Sequence, residues 1–228
     1  MNKIKLLLVA GTVACLFSCS KKAEKSNEAS DTPGAPVESL AANSDYKPAF
    51  EGQTRIASVT SATPYEVKVL DSTLARPWGI AALPDGRFLI TQKEEGTMRI
   101  AGATGGLSAP ITGIPAVNGN DQGGLLGICL DPSFAQNRMV YWAFSEPLPE
   151  GNLTAVAKGK LSADEKSLEG VTVIYPATPA YKGTLHYGGR VLFSKEGYLF
   201  VSTGERSDLE TRPQAQDINS GLGKVIRI

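Results

Sequence analysis

The sequence predicts an all-β chain built from the blades of a β-propeller, and three observations carry that reading. A pattern of apolar strand, tight turn and apolar strand occurs three times. The copies recur at roughly 50 to 60 residues, a spacing typical of propeller blades. The composition is rich in turn formers, with 24 glycines and 14 prolines in 228 residues, set between short apolar runs as in all-β proteins.

The three copies begin at Pro77-Trp78-Gly79-Ile80, Gly127-Ile128-Cys129-Leu130 and Gly189-Arg190-Val191-Leu192. Their turns hold Asp85-Gly86, Asp131-Pro132 and Glu196-Gly197, residues that suit tight connections. Outer strands follow two of them, at Gly96-Thr97-Met98-Arg99-Ile100 and Gly223-Lys224-Val225-Ile226-Arg227-Ile228. The first two strands of each copy are apolar on both faces, which predicts packing against a neighbouring blade on each side. A β-sandwich would explain the short strands but not the repeat. Propellers close as rings of about 4 to 8 blades, so three blades are expected to be a truncated half of a longer ring, the alternative being that another chain supplies the remaining blades.

Ahead of the repeats, residues 1–19 read as an export signal: Lys3 and Lys5 precede an apolar stretch over 6–17, too short for a comfortable membrane span. It ends in Leu16-Phe17-Ser18-Cys19, which resembles the lipobox of bacterial lipoproteins and makes Cys19 the expected lipidation site. An ordinary signal peptide with a chance cysteine is the plainer alternative. Residues 20–64 are Ser, Ala, Lys, Glu, Asn and Pro with few large apolar groups, the composition of a flexible linker. Residues 65–228 form the propeller part. The expected setting is the cell envelope, lipid-anchored at the outer membrane or in the periplasm. Lys plus Arg equals Asp plus Glu at 23 each, so no global field recruits nucleic acid, and the membrane is met through the lipid alone. Cys129, inside an apolar run, reads as a small buried hydrophobe. Neither a disulfide framework nor a cysteine metal site can be assembled.

The chain has one histidine, His186, in Leu185-His186-Tyr187-Gly188-Gly189 just before the third repeat. Histidine is the commonest general base near neutral pH. Gly188 and Gly189 would let a flat ligand approach the backbone. Glu205 follows the second strand of the same hairpin, so the two can meet, and a carboxylate beside an imidazole fixes its tautomer. The plainer alternatives are a surface-loop histidine and a surface pair between Glu205 and Arg206. Gln122 lies in the corresponding polar, glycine-rich loop before the second repeat, from which it could reach the ring axis.

These residues carry a family resemblance. Arg76-Pro77-Trp78-Gly79, Asp85-Gly86-Arg87, Gln122-Gly123-Gly124-Leu125-Leu126-Gly127, His186-Tyr187-Gly188-Gly189-Arg190, Thr203-Gly204-Glu205 and Arg212-Pro213-Gln214-Ala215-Gln216-Asp217 resemble the signature blocks of soluble pyrroloquinoline-quinone (PQQ) glucose and aldose dehydrogenases. The resemblance implies a six-bladed propeller that oxidises an aldose sugar at C1 to the lactone. In it His186 matches the base that removes the C1 hydroxyl proton while hydride passes to PQQ. Glu205 matches the carboxylate supporting that base, and its being Glu points to the aldose branch. Gln122 matches a polar residue near the reacting centre, and with His186, Gly188 and Gly189 it falls on the cofactor side. The family also uses Ca²⁺, whose ligands, like the cationic anchors of PQQ, come mostly from blades beyond the third. This chain is therefore expected to be inactive alone. The competing reading is a non-catalytic envelope propeller that binds carbohydrate or protein.

Overall fold

The computed structural model describes residues 34–36, 38–53, 55–59 and 61–228. The export signal and Cys19 lie outside the described residues. The chain divides into two units, Met1–Val67 and Lys68–Ile228. In the first, the described residues form no helix or strand, only an isolated antiparallel bridge between Pro36 and Ala57.

The second unit holds three antiparallel sheets in chain order. The first contains β1 (Pro77–Ala82), β2 (Phe88–Gln92) and β3 (Thr97–Ala101). The second contains β4 (Leu125–Leu130), β5 (Met139–Leu148), β6 (Gly151–Leu161) and β7 (Leu168–Pro176). The third contains β8 (Gly188–Phe193), β9 (Leu199–Thr203) and β10 (Val225–Arg227). Each sheet is an up-and-down meander, the form of a propeller blade. The sequence repeat survives in fine detail. The first strand of every blade carries a register shift at the same place, between Pro77 and Ile80, Leu125 and Ile128, and Gly188 and Val191. Such bulges bend the strand near a functional rim.

Turn chemistry closes two of the hairpins as read. Gly86 and Gly197 have φ of 84° and 88°, the left-handed region that glycine enters without penalty. The Asp131-Pro132 connection differs. It carries a short helix, α1 (Phe134–Asn137), ended by Arg138 at φ 57°. The extra residues between β4 and β5 are long enough to wind one helical turn, and Asp131 holds its start by accepting from Ser133 N at 2.8 Å.

Strand alternation sorts the second blade into two cores. Leu125, Ile128, Trp142, Phe144, Ala155 and Ala157 point to the first blade, where they meet Leu89, Met98 and Ile100. Leu126, Ala143 and Val156 point the other way, against Tyr187, Val191, Leu199 and Val201 of the third. The expectation that the first strand of every blade is covered on both faces therefore holds for β4 alone. β4 packs between β1 and β8, and each of these has a blade on one side only. On the uncovered faces Trp78 and Ile80 are 56% and 61% exposed and Leu192 is 47% exposed.

Candidate active site

The starts of β1, β4, β6 and β8 and the ends of β2, β5 and β9 lie at one end of the blades, because each hairpin is antiparallel. Gly188 pairs with Thr203, so the residues just before β8 and just after β9 are neighbours. That register brings His186 and Glu205 together, with Nδ1 to Oε1 at 2.7 Å. An ionised carboxylate can only accept, so in the neutral imidazole Nδ1 carries the proton and Nε2 keeps its lone pair. Nε2 has no protein partner among the described residues, and the His186 side chain is 47% exposed. The hydrogen bond from His186 holds the Glu205 carboxyl below the ordinary 4.5, against the opposing effect of burial. Ser207 N adds a second donor to the same oxygen at 3.2 Å.

Gln122 joins the pair from the loop before β4. Its Oε1 accepts from His186 N at 2.9 Å, and its own N donates to Thr184 O at 3.2 Å. That loop is pinned in turn: Lys93 Nζ donates to Asp121 O, and Thr184 Oγ1 donates to an Asp121 carboxylate oxygen. The loops entering the second and third blades thus meet at His186, and Lys93 of the first blade braces the former.

Gly188 and Gly189 adopt φ of 73° and 88°. A Cβ on Gly188 would lie 2.7 Å from Ser202 O, and one on Gly189 would lie 2.7 Å from Leu126 Cδ1. Packing inside the protein accounts for both glycines, a reason different from the close approach of a flat ligand that the sequence suggested. Gly127 obeys the same rule, since its Cβ would sit 2.2 Å from Gly189 O.

Arg206 forms no ion pair with Glu205. It is 2% exposed and turns inward, donating from Nε to Leu185 O at 3.0 Å, from Nη1 to Asn152 O at 3.1 Å and from Nη2 to Asn152 Oδ1 at 2.6 Å. Sequence reasoning missed it, together with Asn152, Tyr187 and Lys93. A charged residue beside Glu205 reads as surface in a linear pattern. Its inward turn comes from left-handed backbone at Arg206 and Ser207, with φ of 70° and 59°. Arg76, Asp121 and His186 share this unusual conformation, each at φ 46°, on the same loop end. Left-handed backbone costs about 1–2 kcal/mol per non-glycine residue, and such strain gathers at functional sites.

These features define a protein of propeller blades with a carboxylate-supported histidine at one loop face. The family profile for glucose/sorbosone dehydrogenase matches residues 74–228. The aldose sugar dehydrogenase YliI of Escherichia coli strain K12 is 38% identical over 163 residues, covering 71% of this chain and 43% of that protein. The apo-form crystal structure of the soluble aldose sugar dehydrogenase from Escherichia coli superposes with a TM-score of 0.66 at 39% identity, covering 71% of this chain and 46% of that one. The PQQ-bound aldose sugar dehydrogenase from Streptomyces coelicolor gives a TM-score of 0.63 at 30% identity, over 71% of this chain and 47% of that one. The chain belongs to the glucose/sorbosone dehydrogenase family. It spans about half the length of these relatives.

Proposed function

We propose that this chain supplies the general base for PQQ-dependent oxidation of an aldose at C1 to the lactone. The supporting observation is the 2.7 Å contact of His186 Nδ1 with Glu205, which leaves Nε2 as an exposed acceptor. Nε2 takes the C1 hydroxyl proton as hydride leaves C1. Glu205 fixes the tautomer and stabilises the imidazolium that forms. Gln122 holds the loop through the His186 amide, and its own amide nitrogen stays available for a sugar hydroxyl.

PQQ, when bound, would accept the hydride. The residues present fit the base side of that exchange, since an acceptor nitrogen, an orienting carboxylate and an amide donor stand together. They supply little of its anchoring: PQQ is a tricarboxylate, Lys93 beside the Gln122 loop is spent on Asp121 O, and Arg190 next to Gly188 and Gly189 is a single cation. Nor do they fit a calcium centre of side-chain ligands, as no three Asp, Glu, His or Cys groups converge among the described residues. Activity is proposed for a protein of the relatives' length, with 228 residues alone inactive.

We also propose processing and lipidation at Cys19, a linker over 20–64 and an envelope location. Cys19→Ala should move the protein from the membrane to the soluble fraction. The catalytic test is steady-state aldose oxidation by the longer protein after reconstitution with PQQ and Ca²⁺. His186→Gln should lower kcat by about 10² to 10⁴-fold while PQQ binding persists. Unchanged turnover in His186→Gln would remove the base assignment, whereas a reconstituted wild type without turnover would favour a binding module.

A further inference from the structure

The loop carrying His186 is held through its carbonyls, and the pattern of their partners is informative. Gly183 O accepts from Arg206 Nη2 and from Asn152 Nδ2. Thr184 O accepts from Gln122 N. Leu185 O accepts from Arg206 Nε at 3.0 Å, and His186 O from Arg206 N at 3.3 Å. Tyr187 O accepts from Thr154 Oγ1 at 2.7 Å and Gly204 N at 3.0 Å. Every carbonyl from 183 to 187 is therefore engaged, and three of the five are engaged by one residue.

Arginine suits this place for a geometric reason. Its five N–H donors lie in one rigid plane, and here they reach both sides of the loop and Asn152 together. The guanidinium also stacks on the Tyr187 ring, 4.0 Å from its centroid, while Tyr187 Oη donates to Asn152 Oδ1 at 2.6 Å. No carboxylate pairs with Arg206 among the described residues. A buried cation without a counter-ion is costly, and its compensation comes from the loop it holds. His186 itself sits at φ 46°, a backbone state that needs such support.

We propose that Arg206 is the positioning residue of this site, its guanidinium holding the loop at Gly183 O and Leu185 O so that the His186 ring stays against Glu205 with Nε2 outward. The inference rests on the reading of His186 as the base, and it adds a residue that never touches substrate.

Because the chain has one histidine, untagged protein labelled with ¹³C at histidine Cε1 gives one imidazole signal. In the wild type that signal should shift below pH 4.5, as Glu205 takes a proton. In Arg206→Lys, which keeps the charge and loses the fork, this low-pH step should vanish. In the longer, reconstituted protein kcat should fall about 10- to 100-fold, with KM for the sugar within about threefold. Asn152→Ala, which removes one acceptor of the fork, should act in the same direction and more weakly. It serves as the second reading if Arg206→Lys folds poorly. A low-pH step and a kcat that both survive Arg206→Lys overturn the proposal. A loss of kcat with the low-pH step intact also overturns it, since the pair would then be in place without the fork. If His186→Gln keeps full activity, the base assignment fails by itself, and the imidazole signal still decides whether Arg206 positions the ring.

Discussion

Gly204→Ala tests whether the His186 backbone lies where its hydrogen bonds put it. Gly204 does not occupy left-handed backbone, so alanine brings no conformational objection there. The cost is steric. A Cβ at position 204 would stand 1.9 Å from His186 O and 2.5 Å from His186 C. Reaching even 3.0 Å from that oxygen requires the two chains to part by 1.1 Å, the difference of the two distances. The atom met is backbone, and it cannot swing aside. Overpacking of this kind costs about 1–3 kcal/mol, which corresponds to a Tm lower by about 3 to 10 °C for a unit of this size. The displaced residue is the proposed base, and an error of about 1 Å in a reacting group can cost 10²-fold in rate. Differential scanning calorimetry and the His186 ¹³C signal are the assays. Gly197→Ala is the control: nothing lies within 4 Å of its Cβ, so it meets only the left-handed-backbone cost of about 1–2 kcal/mol and should leave the His186 signal unchanged. A Gly204→Ala protein that melts with the wild type and keeps the His186–Glu205 signature would refute the close approach, and with it the hairpin geometry of the site.

Glu205 has its folded pKa depressed below 4.5, so its contribution to stability is fully present above that value and is lost as pH falls through the folded pKa. The wild type should therefore lose more stability between neutral pH and pH 3 than Glu205→Gln does, measured by denaturant titration at both pH values; equal losses would show the pair to be unformed. Burial pushes the Cys129 thiol up to about 12, so the peptide containing Cys129 should stay unalkylated by iodoacetamide at pH 8 in native protein and react fully in denaturant. Rapid native labelling would place that strand at the surface. At the far end of the blades Arg87 bridges Asp85 and Glu165, with nitrogen–oxygen distances of 2.6 Å to each, joining the first blade to the second. Arg87→Met should cost about 1 kcal/mol, and the difference should shrink at high salt; a loss that ignores salt would mean packing of the arginine stem, not charge.

The parts of the fold that were legible are those written in local chemistry. Asp85-Gly86 and Glu196-Gly197 name their own turns, and the apolar runs beside them name β1, β2, β8 and β9. Two strands of the second blade were not legible. β7 buries little beyond Leu168, so its side chains show no apolar alternation. β6 mixes Ala155 and Ala157 with Lys158 and Lys160, which form strand because Trp142 and Phe144 on β5 need a surface to pack on. That demand is tertiary and leaves no mark within β6. The His186–Glu205 pair was legible because hairpin antiparallelism is a geometric certainty once both strands are recognised. Arg206 was not, because its burial depends on two left-handed residues and on acceptors at Asn152 and Gly183, all set by distant parts of the chain.

That contrast bears on how the site keeps its shape. Both members of the dyad come from the third blade, yet few of their supports do. Gln122 and Asp121 arrive on the loop entering the second blade, Lys93 leaves the first, and Asn152 opens β6. A lone hairpin would hold His186 and Glu205 at the right spacing and leave the loop before β8 free to fray, since its carbonyls would face water. Docking the second blade against the third supplies Asn152 and Thr154 to those carbonyls, and the same docking buries Tyr187 and closes Gly127 against Gly189. The imidazole is thus aligned by the interface between blades, and substitutions in that interface, far from any reacting atom, act on the site through residues 183–187.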